Sequence, residues 1–255
     1  MAANEPGQPG VTASGWTLDR PVPASALAVA AHPDDAEFGA GGTLAKWAAA
    51  GCVVHHLVCT DGSKGTWDVD ADLDALVVRR REEQAEAARR LAGSNAGEVR
   101  FLDRVDGDLA ADRETVGDVA RIIRELRPEI VLGHDPWKRY RLHPDHRHAG
   151  LLVCDAVVAA RDPHFFPEHR LAHHRPSALL LWEADAANHV EDVTATVDRK
   201  LAALEAHVSQ FETTMRAADD SELEPFRARI RARLAELGAP HSLAAAEVFA
   251  AITDL

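Results

Sequence analysis

Two short segments concentrate histidine and aspartate at spacings suited to metal chemistry. The first, AHPDDAE at residues 31–37, places His32 and Asp35 three positions apart, so in a tight turn both side chains can converge on one point. Asp34, which lies between them, must then point elsewhere, and this separates a metal ligand from a general base. Adjacent carboxylates with no Lys or Arg in the segment repel each other unless a cation is bound. Taken alone, the segment would also serve to cap the helix that follows.

The second segment, HPDHRH at residues 143–148, repeats this composition with His143, Asp145 and His146. Two such clusters are hard to explain as structural polar loops. One carboxylate and two imidazoles with an open position for water suit catalytic zinc, and the same donors also accept iron(II) or cobalt(II). Such an ion lowers the pKa of bound water toward ~7 and polarises a carbonyl group. We therefore predict a hydrolytic metal site.

The elements that must position these segments alternate between apolar runs and amphipathic stretches. The predicted strands are Ala26–His32, Val53–Thr60, Val99–Leu102 and Ile130–Gly133, and the predicted helices are Thr43–Ala50, Ala75–Leu91 and Arg113–Leu126, with a glycine-rich turn before the first helix. Alternation of this kind predicts βαβ units, and continuously apolar strands indicate helices on both faces of a parallel sheet. We expect an α/β fold, a Rossmann-like three-layer α/β/α sandwich with a mostly parallel sheet. Ligands bind such sheets beyond the carboxyl ends of the strands, where both segments lie.

The rest of the chain continues this pattern without a low-complexity linker or an internal repeat. A helix is expected from the second segment to about Ala160, followed by strands Ala178–Trp182 and His189–Val193, helices Val197–Thr213 and Ser221–Leu237, and a last apolar run Val248–Ile252. Residues 1–25, rich in Pro, Gly and Ser, are expected to form a flexible N-terminal arm. We predict a single domain over residues 26–255.

Composition restricts the function further. A net charge of −13 argues against a nucleic-acid binder, because phosphate binding uses clustered Lys and Arg. The three cysteines show no CxxC spacing, which favours the reducing cytoplasm, and no window has the ~18 apolar residues of a membrane span. Gly39, Gly41 and Gly42 do not match GxGxxG, which disfavours a phosphate-binding loop. These features fit an enzyme acting on a neutral or cationic small molecule.

Four motifs together resemble a known family. AHPDDAEFGAGG, TDGSKG, RREEQAEAARRLAG and RLHPDHRHAG, in this order, are similar to those of the PIG-L/LmbE-like zinc-dependent N-deacetylases, and the resemblance runs from about residue 26 to 160. It implies removal of an acetyl group from N-acetylglucosaminyl compounds, or cleavage of related amides. It also leaves a homo-oligomer open.

The resemblance implies a role for each matching residue. It implies zinc ligands at His32, Asp35 and His146, a general base at Asp34, an oxyanion-stabilising imidazole at His143, a carboxylate at Asp145 that orients His143, and a substrate-binding arginine at Arg80 or Arg81. Some members have a catalytic tyrosine two residues before the first histidine of the second motif. Tyr140 stands three residues before it, so its participation stays open, as does that of the loop histidines at 164, 169, 173 and 174.

Three functions follow from these observations. The leading prediction is a metal-dependent hydrolase that removes an acetyl group from an N-acetylated amino-sugar conjugate. The second is an amidase that cleaves a thiol-sugar conjugate. The third is a metal-binding domain without turnover, against which the placement of Asp34 argues, because a binding-only site needs no base.

Overall fold

A computed structural model describes residues 10–12 and 15–255, and all nine strands in these residues belong to one sheet. The strands are β1 (Gly10–Val11), β2 (Thr17–Leu18), β3 (Ser25–Ala30), β4 (Val53–Thr60), β5 (Ala96–Arg104), β6 (Ile130–His134), β7 (Ala178–Trp182), β8 (His189–Asp192) and β9 (Ala246–Ile252). Their order across the sheet is β1-β2-β8-β9-β7-β6-β3-β4-β5. The five strands from β7 to β5 pair in parallel, and β9 joins antiparallel to β7 and β8. The predicted mostly parallel sheet is confirmed.

Six helices cover the two faces of this sheet. They are α1 (Asp35–Ala49), α2 (Leu73–Ala92), α3 (Arg113–Leu126), α4 (Pro144–Arg161), α5 (Val197–Leu204) and α6 (Glu224–Gly238). Side chains of β3 alternate between two apolar cores: Leu27 and Val29 pack with α3 and α4, whereas Ala26, Ala28 and Ala30 pack with α1 and α2. Because successive strand residues point to opposite faces, one strand supplies both cores. The three-layer α/β/α architecture is therefore confirmed.

The sheet changes direction beside β3. The chain runs outward from β3 through β4 to β5, and then returns through α3 to place β6 on the other side of β3. A crevice opens at such a reversal, outside the carboxyl ends of the two central strands. The first His/Asp segment leaves β3 at this crevice, and the loop after β6 leads to the second.

Helix α1 begins at Asp35, eight residues before the predicted start at Thr43. The glycine-rich stretch expected to form a turn is therefore helical, and that prediction was wrong. The reason is close packing: a Cβ atom at Gly39 would lie 2.5 Å from the Trp182 ring. Glycine is used here because another residue would push α1 off the sheet, despite its poor helix propensity. Asp35 is consequently fixed on the first turn of a helix.

The helix predicted over Val197–Thr213 ends at Leu204 and is followed by short turns. The side chain of Glu83 on α2 accepts hydrogen bonds from the Ser209 amide (2.8 Å) and hydroxyl (2.5 Å). These tertiary bonds compete with a continued helix and direct the segment around Gln210 toward the crevice. The Ser221–Leu237 helix is observed as α6, shifted by three residues at its start.

Part of the expected N-terminal arm joins the sheet, since β2 pairs in parallel with β8. Asp19, which follows β2, accepts a hydrogen bond from Lys46 Nζ on α1 at 2.7 Å. Residues 1–9, 13 and 14 lie outside the described residues. No helix in the described part of the chain is both long and apolar enough to cross a membrane.

Candidate active site

Three side chains from the crevice direct donor atoms at one point. His32 lies in the turn after β3, Asp35 begins α1, and His146 lies in the first turn of α4. His32 Nδ1 is 3.2 Å from His146 Nε2 and 3.4 Å from Asp35 Oδ2, and His146 Nε2 is 3.3 Å from Asp35 Oδ1. Gly150 allows α4 to lie this close to β6, because a Cβ atom there would be 2.7 Å from the His134 carbonyl oxygen. The turn after β3 and the close packing of α4 against β6 thus bring the three predicted metal ligands together.

This arrangement fits a tetrahedral metal ion. Zinc–nitrogen bonds of 2.0–2.1 Å in tetrahedral geometry place donor atoms about 3.3–3.4 Å apart, which is the separation observed. The electrostatics agree: burial would lower the pKa of His32, but the carboxylates of Asp106, Asp145 and Asp35 raise it to about 12. A cluster this negative holds a proton when no other cation neutralises it. A divalent cation would take the place of that proton.

Two carboxylates determine which nitrogen of His32 faces the donor cluster. Asp145 Oδ2 lies 3.1 Å and Asp106 Oδ1 3.2 Å from His32 Nε2. Because carboxylates accept hydrogen bonds, Nε2 keeps its proton, so Nδ1 is the nitrogen whose lone pair would face the ion once the ion displaces the second proton. Asp145 also accepts bonds from the amides of Gly107 (2.6 Å) and Leu109 (3.3 Å). The expected pairing of Asp145 with His143 is therefore replaced by a pairing with His32, since the first turn of α4 points this carboxylate under the β3 turn.

His134, at the end of β6, supports Asp35 in a similar way. Its Nδ1 receives the indole N–H of Trp182 (3.0 Å) and a guanidinium N–H of Arg141 (2.9 Å). Both groups can only donate, so Nδ1 is unprotonated and the hydrogen is on Nε2, 3.3 Å from Asp35 Oδ2. Burial lowers the pKa of His134 most, and His146 and Arg141 lower it further, although the Asp35 carboxylate acts in the opposite direction. A neutral imidazole with a fixed tautomer thus orients the Asp35 carboxylate.

Asp34 is held between the two ligands in a left-handed backbone conformation, with φ 100°. This conformation is uncommon for residues other than glycine and marks functional turns. Its amide donates to Gln84 Oε1 at 3.0 Å, and its carboxylate lies 3.6 Å from Arg80 Nη2. Burial raises the pKa of Asp34 to about 6, although Arg80 acts in the opposite direction. A carboxylate with this pKa is basic enough to accept a proton near neutral pH.

The structure distinguishes the two candidate arginines. Arg80 is buried, lines the cavity and donates to the carbonyl oxygens of Gly62 (2.8 Å) and Pro33 (2.7 Å). Arg81 points to the other side of α2, where it pairs with Asp103 and covers the Phe101 ring. Neighbouring helix positions differ by about 100° in direction, so only one can face the crevice. The substrate-binding expectation therefore stays with Arg80 and is dropped for Arg81.

His143 immediately precedes α4 and lines the cavity, and its ring stacks on His146 with centroids 4.7 Å apart. Burial and the neighbouring His32 and His146 lower its pKa. Tyr140 is 85% exposed and is not among the residues that line the cavity. Of the loop histidines, His169 stacks on the Phe166 ring and His174 contacts the Pro128 carbonyl oxygen, which gives both a packing role.

The donor cluster opens into a cavity of about 650 Å³. This volume lies within the range of small-molecule sites. The loop between β4 and α2 contributes Lys64, Thr66 and the exposed Trp67, and the segment after α5 contributes Gln210, Thr213 and Thr214. Hydroxyl, amide and aromatic groups of this kind bind the polar and apolar faces of a small molecule.

Sequence reasoning missed Asp106, His134 and Gln84. Asp106 follows β5 and His134 ends β6, so polar residues at further strand ends were an available signal. Gln84 offered no signal, because it resembles the other polar residues of a charged helix.

Comparisons with known proteins place this chain among characterised enzymes of one family. The family described as "GlcNAc-PI de-N-acetylase" (PIG-L) matches residues 27–157, slightly more than half of the chain. Diacetylchitobiose deacetylase of Thermococcus kodakarensis is 37% identical over 188 residues, which cover 72% of this chain and 69% of that protein. The structure of N,N'-diacetylchitobiose deacetylase from Pyrococcus horikoshii has a TM-score of 0.81 at 29% identity, and covers 91% of this chain and 84% of that one.

Two further relatives differ in activity. A 1D-myo-inositol 2-acetamido-2-deoxy-alpha-D-glucopyranoside deacetylase of Segniliparus rotundus is 35% identical, over 54% of this chain, and the match spans about half (52%) of that relative's length. A 4-oxalmesaconate hydratase of Pseudomonas putida is 29% identical, over 73% of this chain and 74% of that protein. Similar chains therefore catalyse both amide hydrolysis and hydration.

Proposed function

Because this chain belongs to the PIG-L family, we propose that it is a metal-dependent hydrolase that removes the acetyl group from an N-acetylated amino-sugar conjugate, such as an N-acetylglucosaminyl compound. One observation supports this most strongly: Asp34, with its raised pKa, lies next to three convergent metal donors in a sugar-sized cavity. We propose zinc as the ion, with iron(II) or cobalt(II) as alternatives, and a cytoplasmic location. The domain limits and any homo-oligomer stay predictions.

His32, Asp35 and His146 would hold the ion, which acts as a Lewis acid toward the acetamide carbonyl and lowers the pKa of water. Asp34 accepts a proton from the attacking water as its oxygen bonds to the carbonyl carbon. The carbon–nitrogen bond then breaks, and the proton moves from Asp34 to the departing amine. The second hydrogen of the water stays on the carboxyl group that forms and then passes to the amine, so acetate and an ammonium group leave and atoms and charge balance.

His143 is placed to stabilise the oxyanion that forms on the carbonyl oxygen. Its lowered pKa favours a neutral imidazole at pH 7, which still donates one N–H. A single hydrogen-bond donor of this kind lowers the activation barrier by about 3 kcal/mol. We therefore assign to His143, as a neutral imidazole, a hydrogen bond to the oxyanion.

A substrate panel tests the proposed function. The zinc-loaded chain should release acetate and free amine in equal amounts from N-acetylglucosamine, diacetylchitobiose or an N-acetylglucosaminyl inositol. Amine without acetate from a thiol-sugar amide would support the alternative amidase. Water addition to an unsaturated dicarboxylate without any amide cleavage would favour a hydratase, and metal binding without turnover would favour a binding domain. Each of these last three results contradicts the proposal.

Replacing Arg80 with methionine should shift the acidic limb of the kcat/KM profile to higher pH. The guanidinium lowers the pKa of Asp34, so its loss raises that pKa, by about one unit for a neighbouring charge. Asp34 must be ionised to act as a base, so activity near pH 6 falls more than activity at pH 8. The matched control is Arg81→Met, which removes a part-exposed ion pair outside the cavity and should leave the profile unchanged. An equal effect of both substitutions would contradict the assignment of Arg80.

A further inference from the structure

A buried polar cluster lies behind Asp34, away from the cavity lining. The cluster contains one residue from each of four segments, namely Glu37 on α1, His56 on β4, Gln84 on α2 and His207 after α5. All four side chains are at most 1% exposed, and none of them lines the cavity. Burial of a carboxylate and two imidazoles is costly unless they are paired. The cluster therefore requires an explanation beyond core packing.

The chemistry of its partners orients Gln84 in one way only. Gln84 Oε1 accepts from the Asp34 amide at 3.0 Å, and Gln84 Nε2 donates to Glu37 Oε1 at 2.8 Å. A backbone N–H can only donate and a carboxylate only accepts, so a flipped amide would lose both bonds. Glu37 thus determines that an oxygen faces Asp34.

Two histidines lie next to the Glu37 carboxylate. His56 Nε2 lies 3.5 Å from Glu37 Oε1 and His207 Nε2 lies 3.6 Å from Oε2. Among the described residues, no ring nitrogen of either histidine reaches a hydrogen-bond partner, and neither does Glu37 Oε2. The orientation of the Gln84 amide therefore depends on the two hydrogen bonds that it makes, from the Asp34 amide and to Glu37 Oε1.

We propose that Gln84, oriented by Glu37, is a positioning residue for Asp34: it holds the Asp34 amide and so the left-handed turn that directs this carboxylate at the substrate. The inference rests on the proposed role of Asp34 as the base. The flanking ligands have separate support, because the His32 amide donates to Asp35 Oδ2 at 2.8 Å. Loss of the Gln84 oxygen would leave the buried Asp34 amide without an acceptor, and its peptide would rotate. The metal donors would keep their places while the base moves.

Exchanging the side-chain types of Gln84 and Glu37 tests this proposal. Gln84→Glu brings two buried carboxylates together and removes the donor to Glu37, whereas Glu37→Gln alone keeps an amide oxygen that can accept from Gln84 Nε2 and should have a small effect. For Gln84→Glu we expect kcat to fall by about 10²-fold for a base displaced by ~1 Å, with KM and metal content near those of the natural chain. The double variant again has an acceptor facing Asp34 and a donor–acceptor pair behind it, and should recover most of kcat. A purely structural role would instead lower the metal content and the melting temperature of Gln84→Glu together with its kcat.

A second measurement does not depend on activity. The Asp34 amide should be protected from hydrogen exchange in the natural chain and lose that protection in Gln84→Met, a neutral substitution of similar size. If no substrate is hydrolysed, the proposed function fails while this measurement still tests the positioning. An Asp34 amide equally protected in Gln84→Met, or a double variant no more active than the weaker single variant, would overturn the inference.

Discussion

The Asp34→Asn variant is expected to lose about 10³- to 10⁴-fold in kcat while it binds one metal ion as the natural chain does. General base catalysis contributes up to about 10⁴-fold, and asparagine cannot accept the proton. Asparagine tolerates the left-handed conformation well, so the turn at φ 100° should persist. Acetate release and metal analysis on the same preparation measure both effects.

The neighbouring aspartate supplies the matched control. Asp35→Asn removes a charged donor whose carboxylate lies 3.3 Å from the ring nitrogens of both His134 and His146. It should therefore lose metal as well as turnover. If Asp34→Asn also loses the metal, or if Asp35→Asn retains it with high affinity, the division into base and ligand is incorrect.

The pH dependence of the natural chain follows from the same residue. Burial raises the pKa of Asp34 to about 6, so the carboxyl is largely protonated below that pH and ionised above it. Because the ionised form is the base, kcat/KM should rise with pH through this region and then level off. In the metal-loaded chain the cation next to Asp34 also favours the ionised form, so we expect the midpoint of this limb at or below pH 6.

Removal of the metal by a chelator should abolish turnover and lower the melting temperature. A ligand present at about 100 times its dissociation constant stabilises the folded state by about 2.7 kcal/mol. For a chain of this length, that corresponds to about 5–10 °C. The donors of His32, Asp35 and His146 come from three separate elements, so the ion connects the β3 turn, α1 and α4. Thermal unfolding and acetate release, each with and without chelator, measure both effects.

Reconstitution completes this experiment. Zinc added back to the metal-free chain should restore both activity and melting temperature, and iron(II) or cobalt(II) compared in parallel identifies the preferred ion. Full amide hydrolysis by a chain shown to contain no metal would contradict the proposed site. Restored stability without restored activity would instead contradict only the catalytic role of the ion.

Local patterns were sufficient for much of the fold. The runs Val53–Thr60, Arg113–Leu126 and Ala178–Trp182 are observed with the limits predicted for them. Apolar continuity, helix periodicity and a following proline are properties of neighbouring residues, so they can be read along the chain. The start of α1 was missed because helix-disfavouring glycines there are selected by contact with Trp182, 143 positions later than Gly39.

Local spacing was likewise sufficient to bring His32 and Asp35 together, because they lie on one turn, whereas only the family resemblance implied that His146 rather than His143 is the third ligand. The residues that orient the site were not evident from local spacing. Asp106 and Asp145 fix the tautomer of His32, His134 orients Asp35, and Gln84 holds Asp34, each across a long separation in the chain. The choice of Arg80 over Arg81 depended on which side of α2 faces the sheet.

Spacing within a turn or helix is a short-range geometric constraint, so the sequence by itself shows which candidate donors lie within one turn of each other. Hydrogen-bond partners from different elements depend on how strands order in the sheet and how helices pack upon it. Those arrangements minimise the free energy of the whole core, so the direction of each supporting side chain emerges only when all elements are in contact.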